Sequence, residues 1–406
     1  MGEYLYISVL VLLFFIFIEL YLAKYRTIHL VSPVVINSLC WLIPIFFGLT
    51  KIDDFNEIES WVIITISVWC VGLNLFFLTG SFFTKKSRST DSYHLNKYAP
   101  ILLLFSVLLV LKITYDIYVI GNTASSSSFF LNLRMVAIGS IKSNQLSIVS
   151  AFYPLMYALL LWTFYISLES RSYSKIFLFC LTFSILYVLA TMSKFWLLNY
   201  VVSLSVIYVN NKGFKSLKKL FFGSIIILFM FFIMTQARIN NAGNASVIED
   251  MIVSYLFAPI VALNDVTITT VDKNQLGEYT FSSFYNILRF FGLSSSEPIS
   301  GILPYTFTPE ETNIYTALQP FISDFGKGGI ILGGVIYVLF YCVTFIMSSK
   351  YTTMFIIYAS MTGSLFLQFL TETLMMNLTG NVKIIFCVIL IRIFFLNKQK
   401  FEKFNV

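Results

Sequence analysis

Charged residues are scarce in this chain of 406 residues, of which only 12% are Asp, Glu, Lys or Arg. An ordinary soluble domain has about 25%. Apolar residues make up 58%, aromatic residues make up 18%, and the mean hydropathy is +0.82. A soluble fold of this length has too little interior to hide so much apolar surface. The composition therefore excludes a secreted soluble enzyme, a disordered chain and a nucleic-acid-binding protein, and it predicts a protein whose main solvent is lipid.

Residues that bind metals and motifs that bind cofactors are also rare. The chain has two histidines, and its five cysteines lie in apolar runs without short spacing, which is typical of small core residues. It has no glycine-rich phosphate loop, no Cys-x-x-Cys and no Gly-x-Ser-x-Gly. We therefore assign no metal site and expect no cofactor.

Long apolar runs dominate what remains. A bilayer core of about 30 Å needs roughly 20 apolar residues in a helix. Eleven runs approach that length: 4–23, 28–49, 60–83, 99–120, 147–168, 176–192, 195–210, 220–236, 328–347, 353–371 and 382–397. Only Ser193 and Lys194 separate the sixth and seventh runs, which predicts a helical hairpin with a very tight turn. The first run lacks a basic start and a small-residue cleavage site, so we interpret it as a retained helix.

The basic residues indicate the orientation of these helices. If the connections alternate between the two sides, most lysines and arginines lie on one side, while the connection that holds Asp53 and Asp54 is acidic. Cytoplasmic connections carry the excess of Lys and Arg. We therefore predict a cytoplasmic C-terminus and an external N-terminus, and the net charge of +7 is a signal of topology.

The predicted fold is an all-α polytopic membrane protein with about eleven transmembrane helices and one large external loop. We divide the chain into helices 1–8 (residues 1–236), the external loop (237–317), and helices 9–11 with a short cytoplasmic tail (318–406). The loop is acidic overall and too long for a simple connection. Its Ser246-Val-Ile-Glu249 stretch has the form of a capping box at the start of a short helix. A second amphipathic helix is expected from Phe281 to Phe291.

Three external arginines, Arg134, Arg238 and Arg289, are candidates for binding an anionic substrate. Arginine is always charged, and its planar guanidinium suits the two phosphates of a pyrophosphate. Lys194, at the tight turn, offers a point charge of the same sign. Alternatively, each arginine extends to the lipid headgroups or pairs with a nearby carboxylate.

Carboxylates supply the candidates for proton transfer. Glu310, Glu311 and Asp324 could act as a general base, and a pair of carboxylates could hold a divalent ion. Lys112 and Asp116 are four residues apart, which predicts an ion pair along one helix face.

The most specific local pattern runs from Thr312 to Gly329. It contains Asn313-x-Tyr315-Thr, then a proline, then Asp324-Phe-Gly and further glycines before an apolar run. The glycines allow the backbone to bend or approach closely where the chain enters the membrane. Together with the many helices, the tight hairpin and the single large loop, this pattern resembles the oligosaccharide repeat-unit polymerases (Wzy, the O-antigen polymerases).

The resemblance implies a membrane-embedded glycosyltransferase. Such enzymes join lipid-linked oligosaccharide units on the external, periplasmic face of the bacterial inner membrane, by moving the growing chain from undecaprenyl pyrophosphate onto an incoming unit. The matching arginines are Arg238 and Arg289 and, more loosely, Arg134. Asn313 and Tyr315 would face the loop cavity and contact substrate. The resemblance leaves the general base unassigned, and Glu310, Glu311 and Asp324 are the candidates. A protein that regulates chain length is an expected partner besides membrane lipid, and nucleic acid is not expected.

Two other functions compete with this interpretation. A flippase for the same lipid-linked units should have short loops on both sides, two related halves and charged residues along a central path. The chain has one dominant loop and no detectable halves. The related O-antigen ligases carry a histidine where this chain has Thr312, which favours a polymerase.

Overall fold

The fold is predominantly helical, as the composition predicts. The computed structural model describes residues 2–25, 31–50, 55–84, 92–123, 129–170, 174–213, 255–266, 276–294, 303, 305–308 and 311–399. Its helices are α1 (Gly2–Tyr25), α2 (Pro33–Thr50), α3 (Ser60–Phe83), α4 (Ala99–Thr123), α5 (Phe129–Ala137), α6 (Ser147–Ser170), α7 (Lys175–Thr191), α8 (Lys194–Lys212), α9 (Ser282–Phe290), α10 (Gln319–Phe325), α11 (Gly329–Ser348), α12 (Thr352–Phe366) and α13 (Leu378–Phe394). Residues 255–261 are also helical and continue into a 3-10 turn, Ala262–Asp265.

Four helices are long and apolar enough to cross a membrane by length and composition: α3, α4, α6 and α11. Shorter apolar helices cover Tyr6–Leu22, Pro33–Leu49, Lys175–Thr191 and Thr352–Phe366. Together with the composition, these helices indicate a helical membrane protein. The count of eleven spans stays a prediction, and the run 220–236 lies outside the described residues.

The strands are short and form two antiparallel pairs. Strand β1 (Ser92–Leu95) pairs with β4 (Leu396–Gln399), and β2 (Thr306–Phe307) pairs with β3 (Glu311–Thr312). The second pair holds together the segment that leads into the pattern at 312–329.

The chain divides into two compact units. Unit 1 comprises Met1–Ser87, Asn244–Ser349 and Met361–Asn381. Unit 2 comprises Arg88–Gly243, Lys350–Ser360 and Val382–Val406. This grouping follows packing, whereas the division at 237 and 317 follows the expected membrane topology, and the latter stays a prediction.

In unit 1, α3 and α11 run side by side in the same direction. A Cβ at Gly80, near the end of α3, would lie 3.2 Å from the Sγ atom of Cys342. At the opposite end, the Lys327 ammonium, two residues before α11, lies 4.6 Å from the ring centroid of Trp61 in the first turn of α3. The two helices therefore begin at the same level.

Unit 2 contains the predicted hairpin. Helices α7 and α8 are joined by Met192, with φ of 47°, and Ser193. The prediction of a very tight turn is confirmed. The ion pair between Lys112 and Asp116 on α4 is confirmed as well, and Asp116 also accepts a hydrogen bond from the Leu146 N–H.

Candidate functional site

The candidate site lies in unit 1, where residues outside the long helices pack together. It is built from the stretch 276–294, which contains α9, the β2–β3 pair, and the segment from Asn313 to Gly328, which contains α10. The amphipathic helix expected at 281–291 is confirmed as α9. The capping box at Ser246–Glu249, like Arg238 and Glu310, lies outside the described residues.

Asp324 of the Asp-Phe-Gly pattern joins two of these segments. Its Oδ2 atom accepts a hydrogen bond from the Thr280 N–H at 2.6 Å, and its Oδ1 atom accepts one from the Tyr279 N–H at 3.3 Å. The Asp324 residue is 7% exposed. Gly277, with φ of 81°, makes the turn that presents these two amides. Asp324 therefore fixes the start of α9 against α10.

Arg289 lies on α9, close to this junction. Its Nη1 atom is 3.4 Å from Glu278 Oε1, and its Nη2 atom donates to Asn286 Oδ1 at 2.6 Å. The arginine and glutamate side chains are mostly buried. The alternative that an external arginine pairs with a nearby carboxylate thus describes Arg289 in this structure. A bound anion would share its guanidinium with Glu278.

Asp265 lies next to the candidate site but was not selected from the sequence. It ends the 3-10 turn, is half-buried and accepts a hydrogen bond from the Thr306 hydroxyl. Burial raises the pKa of Tyr315 to about 12, and the negative charge of nearby Asp265 acts in the same direction. Tyr315 is therefore protonated at neutral pH. In the sequence, the only local signal for Asp265 is that it forms an isolated Asn-Asp pair with Asn264 after an apolar run.

A neighbouring amide holds the 3-10 turn in place. Asn264 Nδ2 donates to the Glu57 carbonyl at 2.8 Å, and Asn264 Oδ1 accepts from the Glu59 N–H at 3.0 Å. Asn56 donates to the Phe307 carbonyl at 2.7 Å. The residues just before α3 therefore form one side of the site.

Residues of the 312–329 pattern differ in burial and in backbone geometry. Glu311 is exposed and Asn313 is half-buried, whereas Tyr315 is 2% exposed and packs in the interior. Gly326, with φ of 65°, makes the bend that the glycines predict. A Cβ at Gly329 would lie 2.1 Å from the Phe321 carbonyl oxygen, so the start of α11 packs directly on α10.

Glu372, in the segment between α12 and α13, is almost completely buried. It accepts hydrogen bonds from the N–H groups of Leu374, Met375 and Met376 and from the Tyr337 hydroxyl. These donors offset the cost of removing a carboxylate from water. Glu372 therefore shapes the turn before α13.

A network of hydrogen-bonded, buried polar side chains lies in the interior of unit 1. Trp69 Nε1 donates to Gln368 Oε1 at 2.6 Å, and Gln368 Nε2 donates to Asn37 Oδ1 at 3.1 Å. Asn37 donates to Asn74 at 2.9 Å, and Asn74 donates to Ser38 at 2.9 Å. The Gln368 carbonyl also accepts from the Ala317 N–H at 2.6 Å, within the 312–329 pattern. This hydrogen-bond network links the site segment to α2 and α3.

The other two basic candidates belong to unit 2. Arg134 is half-buried in the last turn of α5, and Lys194 is buried as the first residue of α8. Near the start of α8, Trp196 lies 4.6 Å, between ring centroids, from Tyr153, which lies 4.6 Å from Tyr187. Both basic residues therefore belong to a different unit from the candidate site.

Among the described residues, no group of three or more His, Cys, Asp or Glu side chains is arranged to hold a metal ion. No protein-family model, curated protein or solved structure matches the chain.

Proposed function

We propose that this protein is a membrane glycosyltransferase that polymerises oligosaccharide repeat units carried on undecaprenyl pyrophosphate. The observation that carries the proposal is the contact of Asp324 with the amides of Tyr279 and Thr280. Through it, the pattern that resembles the polymerases packs against the stretch that carries Arg289. An arginine, several carboxylates and tyrosines thereby meet next to helices of membrane-spanning length.

The proposed reaction needs little covalent chemistry from the protein. A hydroxyl oxygen of the acceptor unit forms a bond to the anomeric carbon of the donor chain. The bond from that carbon to the pyrophosphate oxygen breaks, and its electron pair leaves with the pyrophosphate. The hydroxyl proton passes to a carboxylate. The protein has to orient the acceptor and stabilise the growing negative charge.

Arg289 is the proposed pyrophosphate ligand of the unit 1 site, and Arg238, Arg134 and Lys194 stay candidates from the sequence alone. Glu278 and Asn286 hold the Arg289 guanidinium in one orientation, which reduces the reorganisation needed when an anion binds. Asn313 is proposed to contact sugar.

Asp265 is the proposed general base, in addition to Glu310 and Glu311. It is half-buried, and Thr306 orients one of its oxygens. Asp324, by contrast, uses both oxygens to accept backbone N–H groups. We assign Asp324 a positioning role, because its carboxylate holds the α9 segment in place.

The proposed setting is the bacterial inner membrane, with about eleven spans and the 237–317 loop on the periplasmic side. The excess of basic residues on the opposite side and the acidic character of this loop support that orientation. A chain-length regulator is the proposed protein partner.

The test is chain extension by purified protein in liposomes that contain the lipid-linked repeat unit. We expect a ladder of longer glycans on gels from the unaltered protein and a strongly reduced ladder, dominated by single units, from Arg289→Ala. In the native host, deletion of the gene should leave surface glycans that carry one unit. Loss of all external units, with no extension in liposomes, would indicate the flippase instead.

A further inference from the structure

Helix α9 presents an unusually apolar surface outside the long helices. Phe284, Ile287, Phe290 and Phe291 are between 47% and 84% exposed, although each is a large apolar side chain. They follow the helical repeat and are continued by Leu293. In water, such a continuous patch on a short helix would be unfavourable.

Specific hydrogen bonds hold α9 to the rest of unit 1. The Ser283 hydroxyl donates to the Met376 carbonyl at 2.8 Å, and the Tyr285 hydroxyl donates to the Leu276 carbonyl at 2.8 Å. The Arg289 side chain contacts Glu278. These contacts determine which face of α9 is directed away from unit 1, so the apolar face cannot simply rotate inward.

The level of α9 along the neighbouring helices identifies what covers this face. The segment before α9 binds Asp324, which precedes the start of α11 by five residues. At the same end, Trp61 and Lys327 stack at the start of α3 and α11. Tryptophan and lysine side chains are typical of the membrane–water boundary. One turn or less into these helices, Ile64 and Ile331 are 61% and 70% exposed, as expected for side chains that face lipid.

We propose that α9 is an interfacial membrane helix whose apolar face inserts into the acyl chains of the bilayer, while Arg289 lies at the level of the lipid headgroups. The occupant is lipid because α9 lies where two apolar helices leave the membrane. A helix with one apolar face and one polar face that carries an arginine has the form that binds in the plane of a membrane surface. This inference does not depend on the proposed reaction.

The experiment measures how deeply spin labels on α9 lie in the bilayer. Single cysteines are introduced at Phe284, Ile287, Phe290 and Asn286 in a full-length chain whose five native cysteines are replaced, and each variant is labelled and reconstituted in liposomes. Collisions with oxygen, which partitions into lipid, are compared with collisions with a water-soluble nickel chelate. Ile331→Cys on α11 is the lipid standard, and Asn144→Cys in an exposed loop is the water standard.

We expect labels at 284, 287 and 290 to resemble the lipid standard and the label at 286 to resemble the water standard. If all four resemble the water standard, the helix is not inserted and the inference is wrong. If the three apolar positions are shielded from both reagents, protein covers the face, which also overturns it.

A second measurement uses the unaltered chain, in case the cysteine-free background does not fold. Liposomes that contain a phospholipid with a photoreactive group on its acyl chain are irradiated, and the modified peptides are identified by mass spectrometry. Labelling of the 284–293 stretch at a level similar to the 331–339 stretch of α11 is expected. Absence of label from 284–293 in a sample where α11 is labelled would refute the inference.

Discussion

At the residue scale, two aspartates of unit 1 differ in burial and in hydrogen bonding, and the roles proposed for them differ accordingly. Asp324 lies in the recognisable pattern, yet both of its oxygens accept backbone N–H groups. Asp265 lies outside any pattern, but it is half-buried and has Thr306 as its hydrogen-bond donor. A general base needs an oxygen that can reach the acceptor hydroxyl. This requirement favours Asp265.

Asp265→Asn should therefore slow chain extension, because the amide cannot accept the proton. We expect a loss of roughly 10²–10⁴-fold, the usual contribution of general-base catalysis. The measurement is the rate of glycan lengthening in liposomes, with the yield and unfolding temperature of the variant as a check on folding. Unchanged extension would show that another carboxylate is the base.

Asp324→Asn should act mainly on folding. The amide NH₂ group would face at least one backbone N–H, which leaves a buried donor without its acceptor and costs about 1–3 kcal/mol. We expect a lower unfolding temperature in detergent, while Glu57→Asn, at an exposed position, should leave it unchanged. Normal stability combined with complete loss of extension would contradict the positioning role and make Asp324 a chemical participant.

Arg289 allows a test of the proposed pyrophosphate site. Arg289→Ala should reduce chain extension by roughly 10²-fold, the scale of losing one preorganised donor at a developing charge. Arg289→Lys should recover only part of the rate, because lysine cannot form two parallel hydrogen bonds to a phosphate. If alanine and lysine variants extend chains as well as the unaltered protein, Arg289 does not bind the leaving group.

At the scale of elements, the junction of α10 and α11 depends on close backbone approach. Gly329 lacks a Cβ because the Phe321 carbonyl oxygen occupies that space, 2.1 Å from where the atom would be. Gly328, its neighbour, has open space at the same position and a φ of −70°. Adjacent glycines therefore serve different purposes: only the second permits the contact that holds the site segment on its membrane helix.

Gly329→Ala should push α10 away from α11 and lower the free energy of unfolding by about 1–3 kcal/mol. Gly328→Ala is the matched control and should have little effect. Thermal unfolding of both variants in detergent makes the comparison. Equal unfolding temperatures would show that the junction adjusts without cost.

At the scale of the whole molecule, the buried hydrogen-bond network of unit 1 connects residues that are distant in the sequence. Gln368 bonds to Trp69 and Asn37 through its side chain and to Ala317 through its carbonyl. Within a largely apolar interior, such groups are stable only when each has a partner. The network thereby sets the position of the site segment relative to α2 and α3.

Gln368→Leu should leave Trp69 Nε1 and Asn37 Oδ1 without their partner. Each buried group that loses its hydrogen bond costs about 1–3 kcal/mol, so unit 1 should unfold at a lower temperature. Asn144→Leu, at an exposed position, serves as the control for adding an apolar side chain. A Gln368→Leu variant as stable as the control would indicate that water or a rearranged side chain satisfies both groups.

The sequence by itself determined the features that depend on neighbouring residues. Composition and the length of apolar runs predicted membrane helices, because lipid leaves the backbone of a spanning segment few alternatives to a helix. Local spacing predicted the hairpin of α7 and α8, the Lys112–Asp116 pair and the amphipathic α9, since each depends on residues a few positions apart. Its pattern at 312–329 pointed to Asp324, whose two oxygens accept backbone N–H groups in the structure, and it gave no indication of Asp265.

Only the tertiary structure decided which distant groups meet. Thr280 and Asp324 are 44 positions apart, and Trp69 and Gln368 are 299 apart. No periodicity records such pairs, because they are set by how helices pack and by the need to satisfy each buried polar atom. For the same reason, an isolated Asn-Asp pair became part of the site: Asn264 holds the residues before α3, and Asp265 faces Thr306 and Tyr315 as a consequence of that packing.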